Sequence, residues 1–325
     1  MKVGILGAGQ LGRMLALSAL QLGLTPCLFD PDPQACGLIA SHSTSAPYND
    51  RQALTTFAQG LDVCTYEFEN VPIEAAALVS NLCPLRPGLP ALEVSQDRLT
   101  EKQFLQSCGL TTTDFLPLNP GDPIPPGGLL KTRRLGYDGK GQGTDWSHLP
   151  DQPALWERWV PLQKEVAQIA IRSLSGEIHF YPLIQTIQSQ GILREAIAPA
   201  PDLRPELHQQ ARQAAQTVLE RLDYVGVLAL EFFLVDDQLI VNEMAPRVHN
   251  SGHWTDRGSH TSQFENHLRA ILGWPLGSTA ILQPSRLINL VGEVPFPPPP
   301  GAHIYGKSPR PGRKLGHITL FTEPT

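Results

Sequence analysis

The sequence predicts an α/β protein that opens on a parallel sheet covered by helices and continues into an α+β portion. Three observations carry this. Roughly the first 90 residues alternate strand, glycine turn, helix and strand. An apolar run from Val225 to Val235 is followed by Asp236-Asp237 and a second β-like run, the pattern of a hairpin. The chain closes on a short, basic, β-like tail after Phe296-Pro297-Pro298-Pro299-Pro300-Gly301. Strand–helix–strand order implies parallel pairing, because the helix carries the chain back across the sheet.

Taken in order, Lys2 to Leu6 is β-rich and stops at Gly7. Leu11, Leu15, Ala19 and Leu22 follow at helical spacing, and Gly23 closes that helix. Thr25 to Phe29 is a second strand, ended by Asp30-Pro31-Asp32-Pro33. Val63 to Tyr66 is a third, with a helix starting near Pro72. Pro84, Pro87 and Pro90 mark an exit, which places the first domain at 1–92. A helix over 97–107 stops at Gly109, and a proline-rich loop leads to an apolar strand ending in Lys131. Glu165 to Leu174 and Ile178 to Ile187 read as paired strands. Pro205 opens a helix with the stripe Ala211, Ala214, Ala215, Val218, Leu219 and Leu222. Leu239 to Val241 is the hairpin partner of Val225 to Val235, and Gln263 to Leu272 is a further helix. The second domain is placed at 93–275 and a small third at 276–325.

Composition narrows the function classes. The 325 residues are 41% hydrophobic and 17% charged, and 25 Lys and Arg against 31 Asp and Glu leave a net charge of −6. This argues against a general binder of nucleic acid or of anionic membrane. The 31 prolines fall mostly in connections and read as rigid loops. Five cysteines, Cys27, Cys36, Cys64, Cys83 and Cys108, form no C-x-x-C and read as reduced thiols. With no secretory leader and no long apolar run, the expected setting is cytoplasmic.

Five motifs carry chemistry. Gly7-Ala8-Gly9-Gln10-Leu11-Gly12 is a literal G-x-G-x-x-G between strand and helix, with Asp30 ending the next strand. This approaches the dinucleotide fingerprint, in which pyrophosphate meets the helix N-terminus. The glycines also suit a bare tight turn, or a different anion at that N-terminus. Gly301 to Ser308 matches the P-loop pattern, but the prolines on both sides leave no room for the helix that a P-loop needs. The cations Lys307, Arg310, Arg313 and Lys314 there still suit a phosphate-holding corner. Lys131 and the loop Gly136 to Gly143 suit nucleotide phosphates, through backbone N–H groups and point charges.

Glu231 sits in mid-strand among apolar residues, where a carboxylate needs a partner or a metal. A two-residue turn sets it opposite Asn242, and a three-residue turn opposite Glu243. Either register gathers oxygen ligands suited to Mg²⁺. His249 and His253 have i, i+4 spacing, but Gly252 disfavours a zinc-binding helix, so zinc is not expected. Arg247, just after the acids, reads as an anion or transition-state clamp.

In order, these pieces resemble an ATP-grasp enzyme, and most closely the N5-carboxyaminoimidazole ribonucleotide synthetase (PurK) family. The resemblance rests on Gly9 to Met14, Tyr66 to Pro72, Asp97 to Lys102, Gly136 to Gln142, Asn242 to Trp254 and Arg310 to His317. It implies a Rossmann-like preATP-grasp domain, an ATP-grasp module and a small C-terminal lobe. It implies that ATP converts bicarbonate to carboxyphosphate, which carboxylates the amine of 5-aminoimidazole ribonucleotide (AIR). It implies a homodimer, Mg²⁺, and no NAD, since the glycines then serve the substrate ribonucleotide.

By matching position, the ATP site would take Arg98, Lys131, Gly136, Tyr137, Asp138, Gly139, Lys140, Gly141, Gln142, Glu157, Arg158, Trp159, Val160, Glu165, Asn242 and Glu243. Gln188 joins them where some members carry a histidine. Glu231 and Glu243 would hold Mg²⁺. Gln10, Leu11, Glu69, Tyr137, Asp138, Lys307, Arg310, Arg313 and Lys314 would meet AIR. Arg247, His249 and Asn250 would face bicarbonate and the intermediate. Leu135 departs from the family, which usually has glycine before Gly136.

Overall fold

The computed structural model describes residues 1–38, 42–136 and 139–322. The strands β1 (Lys2–Leu6), β2 (Thr25–Asp30), β3 (His42–Ser45) and β4 (Val63–Tyr66) form a parallel sheet in the order β3-β2-β1-β4. Alternate residues feed opposite faces, as strand geometry requires. Val3 and Ile5 join one apolar cluster with Leu15 and Ala19 of α1 (Gln10–Gln21). Leu6, Phe29 and Tyr66 join another with Leu54 of α2 (Arg51–Ala58) and Val79 of α3 (Ile73–Ser80). Helices α4 (Leu89–Ser95) and α5 (Arg98–Ser107) follow. Asp97 caps α5, accepting the N–H groups of Leu99 and Thr100.

A small antiparallel sheet comes next, β5 (Phe115–Leu118), β6 (Gly128–Thr132), β7 (Gln142–Gly143) and β8 (Ala154–Arg158), in the order β5-β8-β6-β7. The large sheet contains β9 (Lys164–Arg172), β10 (Ile178–Phe180), β11 (Ile184–Ser189), β12 (Ile192–Ala198), β13 (Gly226–Val235) and β14 (Gln238–Ala245). It also takes in β15 (Ser285–Val291), β16 (Ala302–Ile304) and β17 (Lys314–Phe321), so the C-terminal strands extend it through the β12–β15 pair. Helix α6 (Pro205–Arg221) covers it with Ala211, Ala214, Ala215, Val218 and Leu219 buried, while the short α7 (Thr255–Gly258) and α8 (Gln263–Leu272) complete the chain.

Two expectations are corrected. The strand read over Ile178 to Ile187 is two strands on β9, offset by one residue: Phe180 pairs with Ala170, and Ile184 with Ala167. Pro182, which has no N–H to give the ladder, lies in the break. The hairpin partner is longer than Leu239 to Val241, running from Gln238 to Ala245. The P-loop-like segment forms β16 and a loop, and among the described residues no helix follows Ser308.

Helix α8 ties the sheets together. His267 is fully buried; its Nδ1 accepts the Val227 N–H at 3.1 Å, which leaves Nε2–H to donate to Thr65 Oγ1 at 2.8 Å. One imidazole thus joins β4 to β13, and burial pushes its pKa down to about 3. His267→Ala leaves the Val227 donor unpaired and should cost about 1–3 kcal/mol of unfolding free energy by urea titration. Only the unfolded chain protonates this histidine between pH ~6.5 and the folded value. Its contribution is therefore complete at neutral pH and lost as pH falls, and the variant should lose that share of the acid slope.

Candidate active site

The glycine turn is already filled by the protein's own carboxylate. Glu67, one residue past β4 and 8% exposed, accepts the Gly9 N–H at 2.7 Å and the Gly12 N–H at 3.0 Å. A Cβ on Gly7 or Gly9 would lie 2.5 or 2.6 Å from Glu67 atoms. The glycines therefore permit the approach of an internal anion to the N-terminus of α1, where a dinucleotide would present pyrophosphate. Burial raises the Glu67 pKa, opposed by those two N–H groups, Lys307 and Arg247. Asp30 is likewise engaged, accepting the N–H groups of Ala8 and Asp32. The dinucleotide reading fails on these contacts.

The hairpin resolves the two registers in an unforeseen way. The turn is two residues, Asp236 and Asp237, both at positive φ, with Val235 opposite Gln238. That turn alone would set Glu231 against Asn242. Instead Phe232 pairs with Val241 and Glu231 with Glu243, so Asn242 is the extra residue of a β-bulge. The bulge brings two carboxylates directly across from each other. Burial, then Glu243 and Glu165, push the Glu231 pKa up to about 8. Asn242 Oδ1 is buried without a hydrogen-bond partner. Clustered acids and a spare amide oxygen are the donor set that a hard divalent cation takes.

These groups line one cleft of ≈ 880 Å³ between the three sheets. Two ion pairs lie along it, Arg98 to Glu243 at 2.9 Å and Arg247 to Glu69, and His249 Nε2 lies 3.1 Å from Glu231. Lys307 then donates to Gln10 across the lobes. Arg247 and Glu69 hold each other charged: burial opposes the Glu69 carboxylate, but Arg247 draws its pKa down. Burial, Arg247 and Lys314 drive the His249 pKa down to about 3. The backbone of His249 is clamped by Gln263, whose amide accepts its N–H at 2.9 Å and donates to its carbonyl at 2.6 Å. Gln263, fully buried, was not singled out from sequence; only its position at the start of an amphipathic helix distinguishes it.

The cleft lining also includes Leu11, Lys131, Gly136, Gly139, Lys140, Gly141, Gln142, Glu165, Gln188, Asn250 and Lys314. Leu135 lies beside Gly136 at φ 62, a left-handed conformation that costs a leucine roughly 1–2 kcal/mol. Tyr137 and Asp138 lie outside the described residues. Arg158, Trp159, Val160, Arg310 and Arg313 are not part of the lining: Arg158 pairs with Asp114, and Arg313 donates to the Ser308 carbonyl. Glu157 sits beneath it, between Lys131 and Lys102 at 3.1 Å each.

This arrangement belongs to a class. The chain is an ATP-grasp protein: the ATP-grasp domain model matches residues 122–264, and the ribonucleotide synthetase preATP-grasp model matches 1–96. The C-terminal domain of phosphoribosylaminoimidazole carboxylase matches 286–324. An N5-carboxyaminoimidazole ribonucleotide synthase of Pseudomonas aeruginosa is 42% identical over 98% of this chain and 94% of its own. The crystal structure of the Thermus thermophilus synthetase superposes with a TM-score of 0.91 at 48% identity, covering 98% of this chain and 93% of that one. An Aspergillus clavatus synthase in complex with ADP and 5-aminoimidazole ribonucleotide gives 0.90 at 30% identity, over 99% and 93%. The chain belongs to the N5-carboxyaminoimidazole ribonucleotide synthase family.

Removing the carboxylate from the glycine turn tests its role. Glu67→Ala strips two buried N–H donors of a charged acceptor and should lower stability by about 1.5–3 kcal/mol. Unfolding by urea measures this, and an unchanged midpoint would show that the turn does not need its anion.

Proposed function

We propose that this chain carboxylates 5-aminoimidazole ribonucleotide with bicarbonate at the expense of ATP, releasing ADP and phosphate through carboxyphosphate. The observation that carries the reading is the one cleft that holds the Arg98–Glu243 ion pair, the facing Glu231 with His249 beside it, and the Arg247–Glu69 ion pair. Three small molecules that react in sequence need one continuous site, since carboxyphosphate hydrolyses rapidly in water.

The nucleotide lies at the end bounded by Arg98, Lys131, Lys140 and Glu165, with the glycine loop over its phosphates. Arg98 and Lys131 offset the charge that develops on the transferred phosphoryl group. Mg²⁺, when bound by Glu231, Glu243 and the Asn242 oxygen, supplies further neutralisation at the phosphoryl oxygens. Bicarbonate and carboxyphosphate sit against Arg247, with His249 and Asn250 beside it. AIR enters from the Gln10, Leu11, Glu69 and Lys307 side, with Lys314 and the basic tail facing its phosphate. Lys307 bridges to Gln10 of the first domain, so binding a phosphate there would draw the C-terminal strands onto α1. The division at 92/93 and 275/276, association as a homodimer and a cytoplasmic setting complete the proposal. They rest on the family resemblance. Among the described residues, no helix is long and apolar enough to cross a membrane.

Glu231→Gln should lower kcat by about 10²–10³ at saturating Mg²⁺, the typical loss when one charge-stabilising group is removed. Steady-state turnover near that of the unaltered enzyme would remove Glu231 from the metal site.

Arg247→Ala addresses the chemistry directly. It should uncouple the reaction, so that phosphate released per AIR consumed rises above one while the KM for ATP stays within about twofold. A ratio of one at an unchanged rate would assign the clamp elsewhere. If phosphate release from ATP did not depend on AIR and bicarbonate at all, the proposed reaction itself would fail.

A further inference from the structure

Beneath the nucleotide end of the cleft lies a buried lysine, Lys102, to which the proposed reaction gives no role. Lys102, on the inner face of α5, is 2% exposed, and its ammonium lies 3.1 Å from Glu157 Oε2. Lys131 reaches the other oxygen, Oε1, at 3.1 Å. Thr113 Oγ1 donates to Oε2 at 3.2 Å and is itself 3.5 Å from Lys102. A lysine is among the residues least often buried, and this one gives up its hydration for a single carboxylate. That carboxylate already has a cationic partner in Lys131.

From this geometry we infer that Lys102 is a positioning residue for the nucleotide: it neutralises Glu157 from behind, so that the charge of Lys131 stays available to phosphate. With only Lys131 beside it, Glu157 would cancel that lysine and present no net charge to an incoming polyanion. With Lys102 in place, two lysines share one carboxylate, and the cluster keeps a net single positive charge. The fixed lysine also pins Glu157, and through it the Lys131 ammonium, against the wall of the cleft. Burial alone would raise the Glu157 pKa; Lys131, Lys102 and Arg98 outweigh it and hold the carboxyl down at about 2, so the group is ionised throughout the working range.

The inference rests on the nucleotide lying against Lys131. Its test is ADP affinity by calorimetry across four proteins: the unaltered enzyme, Lys102→Met, Glu157→Gln and the double variant. If Lys102 acts through charge, affinity follows the net charge of the cluster, by roughly three- to tenfold per unit. Lys102→Met should bind most weakly, Glu157→Gln most tightly, and the double variant like the unaltered enzyme. In steady state, Lys102→Met should raise the KM for ATP and leave the KM for AIR within twofold. A merely structural lysine would lower stability and active fraction without this order. Should Lys102→Met fail to fold, Glu157→Gln and the double variant still differ only at residue 102. Equal ADP affinity in those two, or a double variant no tighter than Lys102→Met, overturns the inference. Lys131→Met separates the underlying reading: if it binds ADP as the unaltered enzyme does, the nucleotide does not reach Lys131, and the assignment of the ATP site fails first.

Discussion

A carboxylate taken out of water must be met by donors or cations, or it will hold its proton. That constraint organises this molecule more than any apolar contact does. Glu67 is met by the backbone N–H groups of Gly9 and Gly12, Glu157 by Lys102 and Lys131, and Glu69 by Arg247. Glu101 accepts the Met244 N–H, yet burial and then Glu243 still raise its pKa to about 8. The partners come from segments far apart in sequence. Arg98 and Glu243 are 145 residues apart, and Arg247 and Glu69 are 178 apart. Arg247–Glu69 ties the large sheet to the first one, Arg98–Glu243 and Glu101–Met244 tie α5 to β14, and the cleft is the seam where they meet.

The exceptions mark the chemistry. Glu231 and Glu243 face each other across a ladder, and Glu165 adds a third carboxylate to the field at Glu231. His249 is a poor counter-charge, because burial and Arg247 keep its imidazole neutral. Glu67, Glu69 and Glu157 are met by donors or cations, whereas Glu231 faces two carboxylates and a neutral imidazole. Such a deficit of positive charge is costly in the free protein, because like charges brought together out of water raise the free energy of the charged form.

Much of this could be read from the sequence, for reasons that show where the rest was hidden. Periodicity located β1, α1, β2, β4, α6 and both halves of the hairpin, because each buries one face and its pattern is local. The run from Asn242 to Trp254 and the basic tail pointed to the family for the same reason: the functional residues are neighbours in sequence. The register of Glu231 was not legible. Turn length predicts pairing only while every residue stays in the ladder, and the bulge at Asn242 breaks that rule without a glycine or proline to announce it. The glycine fingerprint was ambiguous in the same way. G-x-G-x-x-G describes a turn that lets an anion approach a helix, and its pattern does not state whose anion. The answer lies 55 residues beyond Gly12, in the one carboxylate that follows β4 immediately. Lys102 was hidden more deeply still, since a lysine on a helix in a mostly polar stretch reads as a solvated side chain.

The extension of the large sheet by β15, β16 and β17 has a mechanical consequence. Because β12 pairs with β15, the strand that carries Lys314 and the β16–β17 loop that carries Lys307 belong to the continuation of the sheet that holds Glu231 and Glu243. Asn289 of β15 donates to the Asn250 side chain at 2.7 Å and to the Leu193 carbonyl at 2.9 Å, locking that continuation to the segment beside Arg247. Among the described residues the small sheet of β5 to β8, which carries Lys131, shares no strand pairing with the large one; Thr112, just before β5, makes an isolated bridge to Val241. The two cationic ends of the cleft thus differ in kind. The end at Lys307 and Lys314 belongs to the continuation of the large sheet, which Asn289 ties to the segment beside Arg247. The end at Lys131 rides on a separate, smaller sheet, so the two ends are held by different layers of the fold, and each layer places its own cations in the cleft.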